Sequence, residues 1–297
     1  MFPRVTSTTQ MRAAQTNLQA SAQRLAQLQE QSTSLKTISR ASDDPARAAN
    51  AIAVRAEQRA TAQYTRNADN GSGWLTTLDN ALGASTTILT RVRDLTVQGA
   101  NAGTMTPATR EALAVQIDGL KQDLLAQANA SYLGRTVFAG NSDTGVAFSP
   151  EGVHLGGSTT GVERRVGAGS TVRVDADGSA IFGTGATSVF ALLDKITSSL
   201  RDPTSSVGVS THLSALDDSL RAVIGANADV GSRQARIDGA SSALVTQKGA
   251  LEAQRVQLED ADLATVILDL KMQEVAYQAA LAVTARVIQP TLMDFLR

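Results

Sequence analysis

Hydrophobic positions at the two ends of this chain recur at alternating steps of three and four. At the N-terminal end the series is Met11, Ala14, Leu18, Ser21, Leu25, Leu28, Ser32 and Leu35, and no Gly or Pro lies between Arg4 and Ser42. At the C-terminal end it is Leu263, Ile267, Leu270, Tyr277, Leu281 and Ile288, with Glu274 and Thr284 holding the register. Leu251 to Arg297 therefore reads as one long amphipathic helix. Its stretch from Leu263 to Gln289 spans roughly 40 Å before Pro290 ends or kinks it. A second row, Val266, Val283 and Val287 with Ala276, Ala279, Ala280 and Ala282 between, widens the apolar face beyond what one partner helix covers. The two ends are expected to pair. Each Ser, Ala or Thr on a seam forgoes about 1.5–3 kcal/mol of buried large side chain, so the pair is a half-made core that other molecules complete.

Between the ends, Ser39 to Pro45 breaks the first helix and starts the next. Asp44 suits the free N–H groups and the dipole of the new helix, Pro45 fits its first turn, and Asp43 and Asp44 read as a cap, not as a catalytic acid pair. Helix follows to about Ala100, with Leu75, Leu78, Leu82, Leu89 and Val92 on one face and a break at Gly71 and Gly73. A third helix runs from about Ala108 to Asn129. From Thr136 to Gly185 the texture turns Gly-rich, with alternating pieces such as Thr171 to Asp175 and turns at Ser149 to Gly152 and Asp177-Gly178; this predicts a small β-rich insert. Helix resumes at Ser188, pauses at Asp202-Pro203, and is continuous from about Ala228. The order of long helix, helices, insert, helices, long helix is that of a mainly α protein with a small β-rich insert, a long antiparallel helical hairpin or rod whose terminal helices form a coiled coil. Its divisions fall at 1–40 plus 260–297 for the terminal core, 41–135 plus 186–259 for the α-helical rod, and 136–185 for the insert. A short link is expected to be able to replace that insert.

Composition narrows the function. Only 3% of the residues are aromatic, Trp74 is the single tryptophan, and no large globular core is implied. A net charge of −1 without a basic stripe disfavours nucleic acid and anionic membranes, and no run of eighteen apolar residues can cross a bilayer. The start of the chain lacks the apolar run of a cleavable signal peptide. There are no cysteines, and the two histidines, His154 and His212, stand in unrelated segments and read as surface residues. No nucleophile has a base at a recognisable spacing, and neither Gly167 to Gly169 nor Gly183 to Gly185 is followed by the Lys-Ser/Thr of a phosphate loop. Catalytic residues, a metal and a cofactor are therefore not expected.

Several segments resemble the bacterial flagellin family in order and approximate spacing: Arg40 to Pro45, Arg66 to Gly71 and Arg91 to Asn101 near the start, then Glu259 to Ala264 and Gln278 to Leu281. Within the family, Arg4-Val5-Thr6 with Met11, Tyr132 to Gly140, Val166 to Val172, Ile181 to Gly183 and Val189 to Leu193 are similar to the branch that joins hook to filament. Leu35-Lys36-Thr37-Ile38 departs from the usual Gly-Lys-Arg-Ile turn, which implies a less sharp end to the first helix. The resemblance implies terminal helices in a tubular core, a helical rod around it and a β domain facing solvent. It also implies an extracellular structural role in the flagellum, with other copies, an adjacent hook-associated protein and flagellin as neighbours, and an export chaperone on the C-terminal helix. A filament subunit and a cytoplasmic coiled-coil adaptor remain as alternatives, because heptads alone do not tell a tube wall from a dimer.

Overall fold

A computed structural model describes residues 7–100, 105–142, 144–156, 161–202 and 208–288. Seven helices, α1 Ser7–Ser34, α2 Pro45–Ala100, α3 Pro107–Ala128, α4 Gly178–Phe182, α5 Val189–Arg201, α6 Leu213–Glu259 and α7 Leu263–Ile288, carry most of these residues. Four short strands, β1 Ser131–Tyr132, β2 Arg135–Thr136, β3 Glu163–Gly167 and β4 Ser170–Arg173, pair antiparallel as two hairpins. The mainly α class with a small β insert therefore holds. The chain falls into two compact units, one of residues 60–247 and one of residues 1–59 with 248–297.

In the 60–247 unit, burial follows a strict seven-residue step along both long helices. Thr61, Ala68, Leu75, Leu82, Leu89 and Thr96 of α2 are withdrawn from solvent, as are Leu216, Val223, Val230, Ile237 and Leu244 of α6. This is the spacing of a helix seam. The helices run antiparallel: Arg93 pairs with Asp217 near one end of the unit, and Gln234 Nε2 donates to Ser72 Oγ further along. Leu113, Ile117 and Leu124 of α3 and Leu193, Ile196 and Leu200 of α5 close the core. Thr106 caps α3 by accepting from the Thr109 N–H, with Pro107 in the first turn.

The expected break at Gly71 and Gly73 does not occur, since α2 is continuous there. The glycines serve close approach instead. A Cβ on Gly71 would stand 2.8 Å from Ile237 Cδ1, and one on Gly73 would stand 2.3 Å from the Tyr132 hydroxyl. Sequence punctuation by glycine does not distinguish a break from a packing site.

The insert shares its buried core with the helices of this unit. Phe182 packs edge to face with Phe138 and Phe148, and Phe190 of α5 lies tilted against Phe148 and Phe182, ring centroids 5.3–6.2 Å apart. They join the same buried cluster as Trp74, Leu78 and Ile117, together with Val162, Val166, Val172 and Val174. Four of the six phenylalanines thus stand in one place, so low aromatic content did not mean a small core. Asp175 is wholly buried and ties the insert together, accepting from the Val162 N–H and from Arg173 Nε at 2.9 and 2.8 Å. Both histidines are half-buried, not surface residues: His154 Nε2 lies 3.0 Å from the Phe138 carbonyl and His212 Nε2 lies 3.3 Å from Ser199 Oγ.

In the other unit, α1 and α7 pack antiparallel, with Gln273 Nε2 donating to the Ser21 carbonyl and hydroxyl. The first helix ends earlier than expected, at Ser34, and sharply, because Leu35 takes the left-handed conformation (φ 56°) in which chains often leave a helix. The last helix is also two helices, α6 and α7, separated at Asp260 to Asp262. Asp262 makes that break by accepting from the Ala264 N–H and the Thr265 hydroxyl at the start of α7.

A candidate assembly surface on the terminal helices

The two chain breaks of the terminal unit clasp each other. Thr37 N–H donates to the Glu259 carbonyl, Ala261 N–H to the Leu35 carbonyl, and the Thr37 hydroxyl to the Asp260 carbonyl, all within 3.0 Å. Gln31 Nε2 closes the turn on the Thr37 carbonyl. Beneath the clasp the Glu259 carboxylate is 5% exposed and takes both forks of Arg55, at 2.6 and 2.7 Å. That hydrogen bond first, and then the Arg55 and Arg255 charges, hold the Glu259 carboxyl below the usual range in spite of its desolvation. On the other side of the clasp, Asp43 Oδ2 accepts from the Arg40 N–H, and Asp44 Oδ1 accepts from the Arg47 N–H in the first turn of α2, which Pro45 opens. Both aspartates are engaged as turn and cap.

On α1 the half-buried positions are Ala14, Leu18, Ser21, Leu25, Leu28 and Ser32, at the three-and-four spacing of the N-terminal series, together with Ala22 and Gln31 beside them. Met11 and Leu35, its outer members, are 39% and 49% exposed. On α7 the positions withdrawn from solvent are Val266, Leu270, Gln273, Glu274, Tyr277, Ala280 and Thr284. Leu270 and Tyr277 of the predicted seam belong to that face, whereas Leu263, Ile267 and Leu281 flank it at 47%, 46% and 42% exposure. Ile288 closes α7, and its side chain lies outside the described residues. The heptad with the most large apolar residues is thus one step around the helix from the face that α1 covers. Gln273, hydrogen-bonded to Ser21, marks the covered face, and no hydropathy pattern could have found it.

The uncovered side of α7 is also apolar. Leu268, Met272, Val275 and Val283 are 55–66% exposed and cluster on the side opposite Val266, Gln273 and Thr284, since successive residues turn by about 100°. Sequence reasoning passed over Leu268, Met272 and Val275 because they fall between its two rows. Charge on this helix is sparse, amounting to Asp269 and the Lys271–Glu274 pair before Arg286. A helix apolar on two opposite sides carries more apolar surface than one partner helix covers. Among the described residues no group of three or more His, Asp or Glu could hold a metal ion, and no helix is long and apolar enough to cross a membrane.

The profile of the bacterial flagellin N-terminal helical region matches residues 5–143, and that of the flagellin C-terminal helical region matches residues 213–296. Flagellar hook-associated protein 3 of Escherichia coli is 27% identical, over 84% of this chain and 86% of its own length. Flagellin of Bacillus subtilis is 25% identical over 85% of each. A putative flagellar hook-associated protein from Vibrio parahaemolyticus superposes with a TM-score of 0.67 at 23% identity, covering 73% of this chain and all of that structure. FlgL of Bacillus cereus superposes with a TM-score of 0.60 at 22% identity, covering 69% of this chain and 99% of that structure.

Proposed function

This chain belongs to the bacterial flagellin family, and on that premise we propose that it is the flagellar structural subunit joining hook to filament. The observation that carries an assembly role is α7, apolar on its outer face as well as on the side that α1 covers. Bringing further helices against it removes the exposed leucine, methionine and valine surface from water, and the natural supplier of such helices is a neighbouring copy or a related flagellar subunit. A contact between different faces of identical copies, where its rotation does not close into a ring, repeats helically and builds a tube instead of a dimer. Residues 1–40 and 260–297 then enter its innermost layer, and the chain works outside the cell. Inside the cell an export chaperone covering α7 would keep the same surface from associating early.

Junction is favoured over filament by the resemblance of Tyr132 to Gly140 and Val166 to Val172 to the junction branch, and by the likeness to hook-associated protein 3. The likeness to a flagellin at nearly the same identity keeps the filament subunit as a second reading. Gene deletion separates them. Cells lacking a junction subunit should bear hooks without filaments and release flagellin into the medium, and the purified chain should not extend seeded filament fragments. Fibres of unlimited length from such seeds would reassign the chain as a filament subunit.

A further inference from the structure

The β1–β2 hairpin turns on two residues, Leu133 and Gly134, both left-handed at φ 50° and 78°. Such turns favour Asn-Gly or Gly-Gly, and a leucine there carries backbone strain. Leu133 is also 78% exposed, the most exposed large apolar side chain among the described residues, so it gains nothing from its own chain. A strained, solvated leucine at the tip of a hairpin points to a partner.

The hairpin stands on α2 at Gly73 and Trp74, the Tyr132 and Trp74 rings lying 6.0 Å apart. Its surroundings are basic. The Arg164 guanidinium lies 5.8 Å over the Trp74 ring, and burial and the nearby Arg135 charge both lower its pKa. On the other side of α2, about 200° around the helix from Gly73 and Trp74, Leu75, Thr76 and Asp79 form a groove with α6. The groove holds about 330 Å³, with Leu75 and Val230 as its floor and open space above Gly231. Its rim is acidic: Asp79 and Asp238 are exposed, and neither has an ion-pair partner among the described residues. Gln234 lines it with Oε1 buried and without a hydrogen-bond donor, its Nε2 being committed to Ser72 and Asp238.

We propose that the Leu133 tip of one copy seats in the α2/α6 groove of the next copy, its basic flank against the acidic rim formed by Asp79 and Asp238. Knob and groove lie at one level of α2 on opposite sides, so the contact joins different faces of identical chains and repeats laterally, as a tube wall requires. The contact rests on the reading of this chain as a flagellar assembly subunit.

The chain has no cysteine, which makes cross-linking specific. Flagella assembled with the Leu133→Cys, Gly231→Cys double variant should give, on oxidation, a ladder of disulfide-linked dimers and higher multimers. Either single variant should give none, and the free double variant should remain monomeric, because its two sulfurs face opposite ways. A double variant present in flagella without a ladder overturns the contact. Absence of the unsubstituted chain from flagella overturns the assembly reading, and the contact with it. Should the double variant not enter flagella, Leu133→Asn decides: it relieves the turn, so the free chain should melt no lower than the original. Its incorporation in competition should nevertheless fall at least tenfold, and undiminished incorporation overturns the proposal.

Discussion

Val275→Asp puts the outer face of α7 to the test. Leu268, Met272, Val275 and Val283 keep 60%, 55%, 66% and 61% of their surface in water. Complete burial of such a side chain contributes about 1.5–3 kcal/mol, so covering what these four expose is worth roughly 4–7 kcal/mol per copy, of which Val275 supplies about 1–2 kcal/mol. The aspartate forfeits that share and adds the several kcal/mol of an unpaired carboxylate buried among helices. The lateral association constant should then fall by about a hundredfold or more, at 1.4 kcal/mol per factor of ten. In the free chain the same side chain stays in water, where substitutions change stability by about 0.5 kcal/mol or less, and the melting midpoint should move by no more than about 2 °C. Circular dichroism measures the second quantity, and competitive incorporation into flagella against the unsubstituted chain measures the first. Val275→Ala should fall between the two. An aspartate variant that incorporates as well as the original would refute burial of this face on assembly. One that melts far below the original would show instead that Val275 is already packed in the free chain.

Gly73→Ala should destabilise by about 1–3 kcal/mol, because its Cβ would meet the Tyr132 hydroxyl, whereas Gly83→Ala, with nothing within 4 Å, should stabilise by about 0.5–1 kcal/mol; urea unfolding of the two compares them directly. Deleting residues 137–176 should leave a chain without cooperative melting, because Phe138, Phe148 and Val174 belong to the main core; a truncated chain that melts sharply would return the insert to the status of a dispensable cap. Glu259 is held below its ordinary value, so its pairing with Arg55 stabilises the fold above the unfolded glutamate pKa of about 4.5 and is lost as pH falls through the lower folded value. Glu259→Gln should therefore flatten the acid limb of the stability profile, and an acid limb of unchanged slope would mean that the pair is not linked to folding.

The sequence by itself determined the class of this protein. The three-and-four spacing of the terminal helices, the Asp44-Pro45 start of α2, the Gly-rich change of texture after Thr136 and the segments resembling flagellin are all local, and local patterns are what hydropathy and capping chemistry record. Tertiary structure decided what depends on neighbours distant in the chain. Gly71 and Gly73 look like breaks until Ile237 and Tyr132 are seen against them. The insert looks separable until its phenylalanines are seen to share a core with Trp74 and Phe190. Half the seam positions of α2 are Thr61, Ala68 and Thr96, too small or polar to register in a hydrophobic pattern, though the seven-residue step is strict once burial is known. On α7, where nearly every face is apolar, periodicity could not choose the one that α1 covers. That choice was made by packing and by the hydrogen bond from Gln273 to Ser21, an interaction between residues 252 positions apart.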